Sequence, residues 1–161
     1  MKICNKEAMK LIKELESKKN YLLSAEDRQS HVQYKDGETR PSNGYDYAKT
    51  RKKVAEIDAQ IGKIKHALSK ANCEIVVDEF NVTLGEALVM LAQYNSELSR
   101  LTYLANALQV TTSITPNGVT VFNECLYNVE TAAKDAENLT AKINKLQVAI
   151  DRANLVNFYE I

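Results

Sequence analysis

The residues able to do chemistry in this chain are few and scattered. Two histidines stand apart: His66, beside Lys65 on a helical pattern, has no carboxylate at the spacing of a helical metal site, and His31, in a polar loop, could bind something but is a lone histidine. Cys4, Cys73 and Cys125 are odd in number, far apart and without a CxxC pair, so neither a disulfide framework nor a zinc site is expected. Free thiols suit a reducing compartment, and a cytoplasmic location is expected. No glycine-rich phosphate loop, HExxH, ExxH pair or GxSxG is present, so the common motor, metalloprotease, di-iron and hydrolase chemistries have no residues to run on. No catalytic residue, cofactor or metal ligand is assigned, and an enzyme is not the expected class. Glu86 belongs to Thr83-Leu84-Gly85-Glu86, a capping box in which hydroxyl and carboxylate satisfy orphan amides at a helix start; its role is structural first.

One cationic cluster remains. Lys49, Arg51, Lys52 and Lys53 gather on the first turns of a helical pattern beside Tyr45 and Tyr47, which makes them the expected interaction surface. A phosphate backbone needs an excess of cations, yet Asp46, Glu56 and Asp58 interleave here, so nucleic-acid binding through helix 45–72 is the alternative rather than the leading reading. Tyr34, Tyr45 and Tyr47 could stack on a ligand, but anchoring of the neighbouring loop is the plainer use of amphipathic rings.

The elements that must hold these residues are helical. Ala8, Leu11, Ile12, Leu15, Leu22 and Leu23 share one face of a helix expected over Ile3 to Leu23, with Lys19 snorkelling out of that face. From Ser24 to Gly44 periodicity gives way to turn formers, so a long loop is expected, with a short strand around His31, Val32 and Tyr34. Val54, Ile57, Ile61, Ile64, Leu68 and Ala71 form a heptad seam over Tyr45 to Asn72; Gly62 inside it implies a close-packing contact. Asn72 is expected as a left-handed C-cap, followed by a strand at Glu74 to Val77. A third helix runs from Thr83 to about Leu108 with an apolar stripe broad enough for more than one neighbour. Thr115-Pro116-Asn117-Gly118 between two β-prone runs predicts a hairpin over Val110 to Phe122, marginal alone and in need of support. A fourth helix spans Asn128 to Asn154, its seam running from Val129 to Ala153 and its end capped by Asn154, before a strand at Val156 to Ile161.

The two heptad helices superpose under a shift of 82 residues, which brings Ala67-Leu68-Ser69-Lys70-Ala71-Asn72 onto Ala149-Ile150-Asp151-Arg152-Ala153-Asn154. The helices that open each half also begin alike, with Glu7-Ala8-Met9 beside Glu86-Ala87-Leu88. The expected fold is therefore mainly α: a single domain with an internal duplication (about 1–77 and 83–161), two long helical hairpins forming a four-helix antiparallel bundle or coiled-coil-like assembly, with short strands or a hairpin at the helix ends. At 161 residues such a domain buries roughly 70% of its unfolded surface and needs no disulfide or metal to fold. Pairing of Glu74 to Val77 with the C-terminal strand is expected from their equivalent places. Net charge is zero, but Met1 to Asn72 carries a surplus of six positive charges and the remainder a matching deficit. Unlike halves of this kind could align the subunits of a homo-oligomer.

The stretches Ile64 to Asn72, Thr83-Leu84-Gly85-Glu86-Ala87-Leu88 and Leu146 to Asn154, with Val32-Gln33 and Gly37-Glu38 in the first loop, resemble the septicolysin-like family of small bacterial proteins. The resemblance spans most of the chain and implies a helical-hairpin fold of unassigned function, with no catalytic positions to carry over. The family name suggests haemolysin-like membrane action, but no residue here carries it. The longest apolar run, Ala87 to Ala92, is too short for a membrane span. The leading expectation is a non-enzymatic protein acting by self-association or by binding another protein.

Overall fold

The computed structural model describes residues 2–160. In chain order the elements are β1 (Lys2–Cys4), α1 (Asn5–Gln29), α2 (Tyr47–Glu74), β2 (Val76–Val77), β3 (Val82–Thr83), α3 (Leu84–Ala105), β4 (Val110–Ile114), β5 (Thr120–Glu124), α4 (Val129–Val156) and β6 (Phe158–Glu160). The chain is mainly helical, and the strands form three antiparallel pairs, β1 with β6, β2 with β3 and β4 with β5. It resolves into two compact units. One takes the chain up to Glu74 together with the stretch from Asn154 onward; the other is Ile75–Ala153, so the second boundary falls inside α4.

The first unit is a helical hairpin. Ala8, Ile12 and Leu15 of α1 meet Ile61 and Ile64 of α2, with Leu11, Ile57 and Leu68 half-buried around them, which is the heptad seam closing on the first helix. Ile3 of β1 joins this core, and β6 covers its end through Tyr159, which lies opposite Ile3 in the strand ladder. Burial holds the Tyr159 hydroxyl above the usual tyrosine range. Lys19 reaches Asp58 at 2.7 Å and Lys65 reaches Glu16 at 3.2 Å, exposed pairs that fix little.

In the second unit Leu84 and Ala87 of α3 pack on Leu146, Ala149, Ile150 and Ala153 of α4, with Val77 beneath and Met90, Leu91 and Tyr94 around them. Further along, Leu98, Leu101 and Leu104 on α3 and Ala136, Leu139 and Ile143 on α4 are half-buried. The turn between β2 and β3 puts Asn81 at φ 51, the left-handed conformation that Asn tolerates better than other residues with a side chain.

All four helices begin on a side-chain or backbone cap. Glu7 accepts from the Cys4 amide at 2.9 Å and Glu86 from the Thr83 amide at 2.7 Å, while the Glu86 amide donates to the Thr83 hydroxyl at 3.2 Å. Asp46 accepts from the Lys49 amide at 3.0 Å, and Asn128 from the Thr131 amide at 2.9 Å.

Several expectations are corrected. Asn72 and Asn154 are not C-caps: α2 runs on to Glu74 and α4 to Val156, and neither residue has positive φ. Their side-chain oxygens are drawn to Asn5 instead, at 2.8 and 3.0 Å. No strand forms at 31–34; α1 continues through a polar last turn to Gln29. Gly62 has no close neighbour, since a Cβ there would meet nothing within 4 Å. The β2 strand pairs with β3 rather than with the C-terminus, because a turn from Asp78 brings Val82 back onto Val77. The C-terminal strand pairs with β1; Ile161, included in its anticipated range, lies outside the described residues.

Candidate functional site

The connection between α3 and α4 is a hydrogen-bonded base carrying an open ribbon. Its base is organised by Gln109. The side-chain amide of Gln109 donates to the carbonyls of Cys125 and Tyr127, each at 3.0 Å, and its Oε1 accepts from the Val129 amide at 3.1 Å. The Gln109 carbonyl accepts from the Cys125 amide at 2.9 Å, and the Tyr127 hydroxyl donates to the Leu104 carbonyl at 3.0 Å. Burial and the nearby Cys125 thiol hold that phenol above its usual range. Gln109 thus ties the end of β5 to the start of α4, and Tyr127 ties that junction to the end of α3.

Beyond this base β4 and β5 pair in register from Val110 opposite Glu124 to Ile114 opposite Thr120. The turn uses Pro116 and Asn117, with Gly118 at φ 78 and its amide donating to the Thr115 carbonyl at 2.9 Å; positive φ at that position is where glycine is needed. All ten residues of the two strands are exposed. Side chains alternate, so one face carries Val110, Thr112, Ile114, Thr120, Phe122 and Glu124, with Ile114 75% and Phe122 69% exposed. Leu108 and Leu126 beside the base and Tyr103 on α3 are also open to solvent. So are Leu88 and Val89, the outer half of the α3 stripe. Isolated exposed apolar residues are ordinary, but a two-stranded ribbon with neither face covered is not.

The basic cluster is divided by the structure. Lys49, Lys52 and Lys53 are exposed on α2, whereas Arg51 is half-buried, paired with Glu26 of α1 and lying over the Tyr47 ring at 5.9 Å. Tyr45 donates to the other oxygen of Glu26 at 2.6 Å, so this tyrosine anchors the loop. The loop folds over a polar recess of about 250 Å³ lined by Ser30, Arg40, Ser42 and Asn43. Lys53 edges a shallow groove of about 550 Å³ between α1 and α2, floored by Leu22 and Ile57. His31 Nδ1 lies 2.9 Å from the Ser30 hydroxyl, and His66 is exposed. Thr83 and Glu86 sit at the start of α3 as a cap, with Glu86 held below the usual carboxylate range by the Thr83 amide and then its hydroxyl.

The sequence did not single out Asn5, which is 1% exposed and donates from Nδ2 to both Asn72 and Asn154 while its own Oδ1 has no hydrogen-bond partner among the described residues. The repeated Ala-Asn ending of the two heptad helices was the only signal of this contact. Among the described residues no group of three His, Cys, Asp or Glu could hold a metal, and no helix is long and apolar enough to cross a membrane.

No protein-family model matches the chain, and no curated protein matches it. Among solved structures, a functionally unknown conserved protein from Corynebacterium diphtheriae is similar over 99% of this chain and 100% of that one, with a TM-score of 0.69 and 16% identity. At that identity the likeness extends to the fold alone.

Proposed function

We propose that the protein is a non-enzymatic helical-hairpin protein that acts by self-association, working in the cytoplasm as a homo-oligomer. The observation that carries this reading is the β4–β5 ribbon, fixed at its base by Gln109 and bare on both faces. A two-stranded ribbon gains little from its own pairing in water, and this one has no core to lean on. Covering it is the physical reason for a partner. The exposed Tyr103 near the end of α3 and Leu108 and Leu126 beside the base add apolar surface near the ribbon.

The same reading takes the chain as an internal repeat. Each half then runs strand, helix, helix, strand, as β1-α1-α2-β2 and β3-α3-α4-β6, and the pairing is cyclic: the last strand of each half meets the first strand of the other. Nucleic-acid binding loses support from the pairing of Arg51 with Glu26, which removes one of its four cations.

Size-exclusion chromatography with light scattering tests the proposal. Self-association predicts a mass above the 18.1 kDa of one chain. A single chain at about 100 μM, well above the micromolar scale of a modest interface, would rule it out.

A further inference from the structure

We propose that the partner at the ribbon is a second copy of this chain, joined edge to edge through β4 across a two-fold axis at Thr112. This rests on the self-association reading and adds the surface and register. The argument begins with which backbone groups are free. The Cys125 amide bonds to the Gln109 carbonyl, and the Thr115 amide bonds to the Val119 carbonyl. Residues 109 and 115 therefore turn their hydrogen-bonding groups toward β5. An antiparallel ladder alternates, so 111 and 113 do likewise, while Val110, Thr112 and Ile114 point their N–H and C=O groups away from β5 to the open edge.

Those three residues are self-complementary. A two-fold through Thr112 sets Val110 against Ile114 of the copy and Thr112 against itself. All three pairs then fall at hydrogen-bonding positions, exchanging on the order of six backbone bonds. The resulting order is β5-β4-β4-β5. Four strands with an apolar face pass the point at which a sheet holds on its own, which two strands do not. Val110 and Ile114 of the two copies become directly opposed neighbours on the face that also carries Phe122, the aliphatic cross-strand pairing that sheets favour.

Charge selects β4 over β5. Open edges are ordinarily guarded by Lys, Pro or an inward charge. The β4 sequence Val110-Thr111-Thr112-Ser113-Ile114 has no charge and no proline, whereas β5 ends on Glu124. In the proposed sheet the two Glu124 side chains lie at opposite corners, so no like charges meet. The junction is uncharged, and salt leaves it intact.

The experiment uses the full chain with Cys73→Ser and Cys125→Ser, which leaves only the buried Cys4 as background thiol. In this chain Thr112→Cys places two thiols at a hydrogen-bonded pair, about 5.5 Å between Cα atoms and within disulfide reach. Asn123→Cys on β5 is the control, about 16 Å from its counterpart, three strand spacings across and two residues along. Under mild oxidation Thr112→Cys is expected to form disulfide dimers at least tenfold faster than Asn123→Cys. Thr112→Lys in the natural chain is expected to shift the light-scattering mass to that of one chain, with helical circular dichroism unchanged, while Asn123→Lys leaves the oligomer. An oligomer that shows equal crosslinking at the two positions and survives Thr112→Lys overturns the β4 edge while leaving self-association standing. A natural chain that stays monomeric at about 100 μM overturns both.

Discussion

Immediately after the cap of α1 stands Asn5, and immediately after the cap of α3 stands Leu84; one side chain is 1% exposed and the other 0%. The two starts share the same carboxylate geometry, Glu7 on the Cys4 amide and Glu86 on the Thr83 amide, yet one unit seals an amide at this place and the other a leucine. The far ends of the two helical hairpins differ in the opposite sense. In the first, Asn43 bonds the Gln29 carbonyl and the Tyr45 amide, Tyr45 bonds Glu26 and Glu26 holds Arg51, so the loop closes on its own unit. In the second, the ribbon leaves a row of backbone groups open. The difference teaches where each unit places its polar groups: the first turns them to internal order at its loop, while the second completes its core with apolar side chains and leaves the outer edge of its ribbon exposed.

The strongest way to break this comparison is to replace each of the two sealed residues. Leu84→Asn removes a fully buried side chain and leaves an amide among Leu146, Ala149 and Ile150, and we expect a loss of about 4 kcal/mol in urea unfolding. Asn5→Ala strips the shared donor from Asn72 and Asn154, with an expected loss of about 2 kcal/mol by the same measurement. Adding Asn72→Ala to Asn5→Ala should cost less than the sum of the single changes, because both act on one network.

Smaller changes sharpen the contrast. Tyr45→Phe deletes the loop anchor and should cost about 1 kcal/mol, with faster hydrogen exchange confined to the connection between α1 and α2. Gly62→Ala should raise stability by about 0.8 kcal/mol, because the helix gains propensity and the added Cβ meets nothing. The smallest effect is at Glu86. Its lowered pKa means that the stability it lends is present above the usual glutamate range and is lost as pH falls through the lowered value. Glu86→Gln should therefore flatten the acid side of a stability profile and leave the neutral region nearly unchanged.

How far these features could be read beforehand follows from the range over which each is determined. The seam Val54, Ile57, Ile61, Ile64, Leu68 and Ala71 is a local period, and every one of these residues is buried or half-buried. The Pro-Asn-Gly turn is likewise written in adjacent residues, and it forms. The last turns of α1 were missed because Ser24 to Arg28 is polar on most sides, so periodicity stops before the helix does; Glu26 needs that extension to reach Arg51 and Tyr45. The caps at Asp46 and Asn128 were passed over for Asn72 and Asn154, since Asn near a helix end reads equally as a cap or as a side chain facing a distant neighbour. The contact of Asn5 with Asn72 spans 67 residues of chain and with Asn154 spans 149, and no local pattern encodes it. The open β4 edge was legible only in part. An uncharged strand can be seen in sequence, but which of its amides face outward depends on the register with β5.

Sedimentation equilibrium of the natural chain and of Thr112→Lys, each at about 100 μM and at both low and about 1 M salt, tests the central claim most directly. The account predicts a mass near twice 18.1 kDa for the natural chain at both salt concentrations, and a mass near 18.1 kDa for Thr112→Lys. A natural chain that sediments as 18.1 kDa, or a Thr112→Lys chain that sediments as the natural one does, would contradict it.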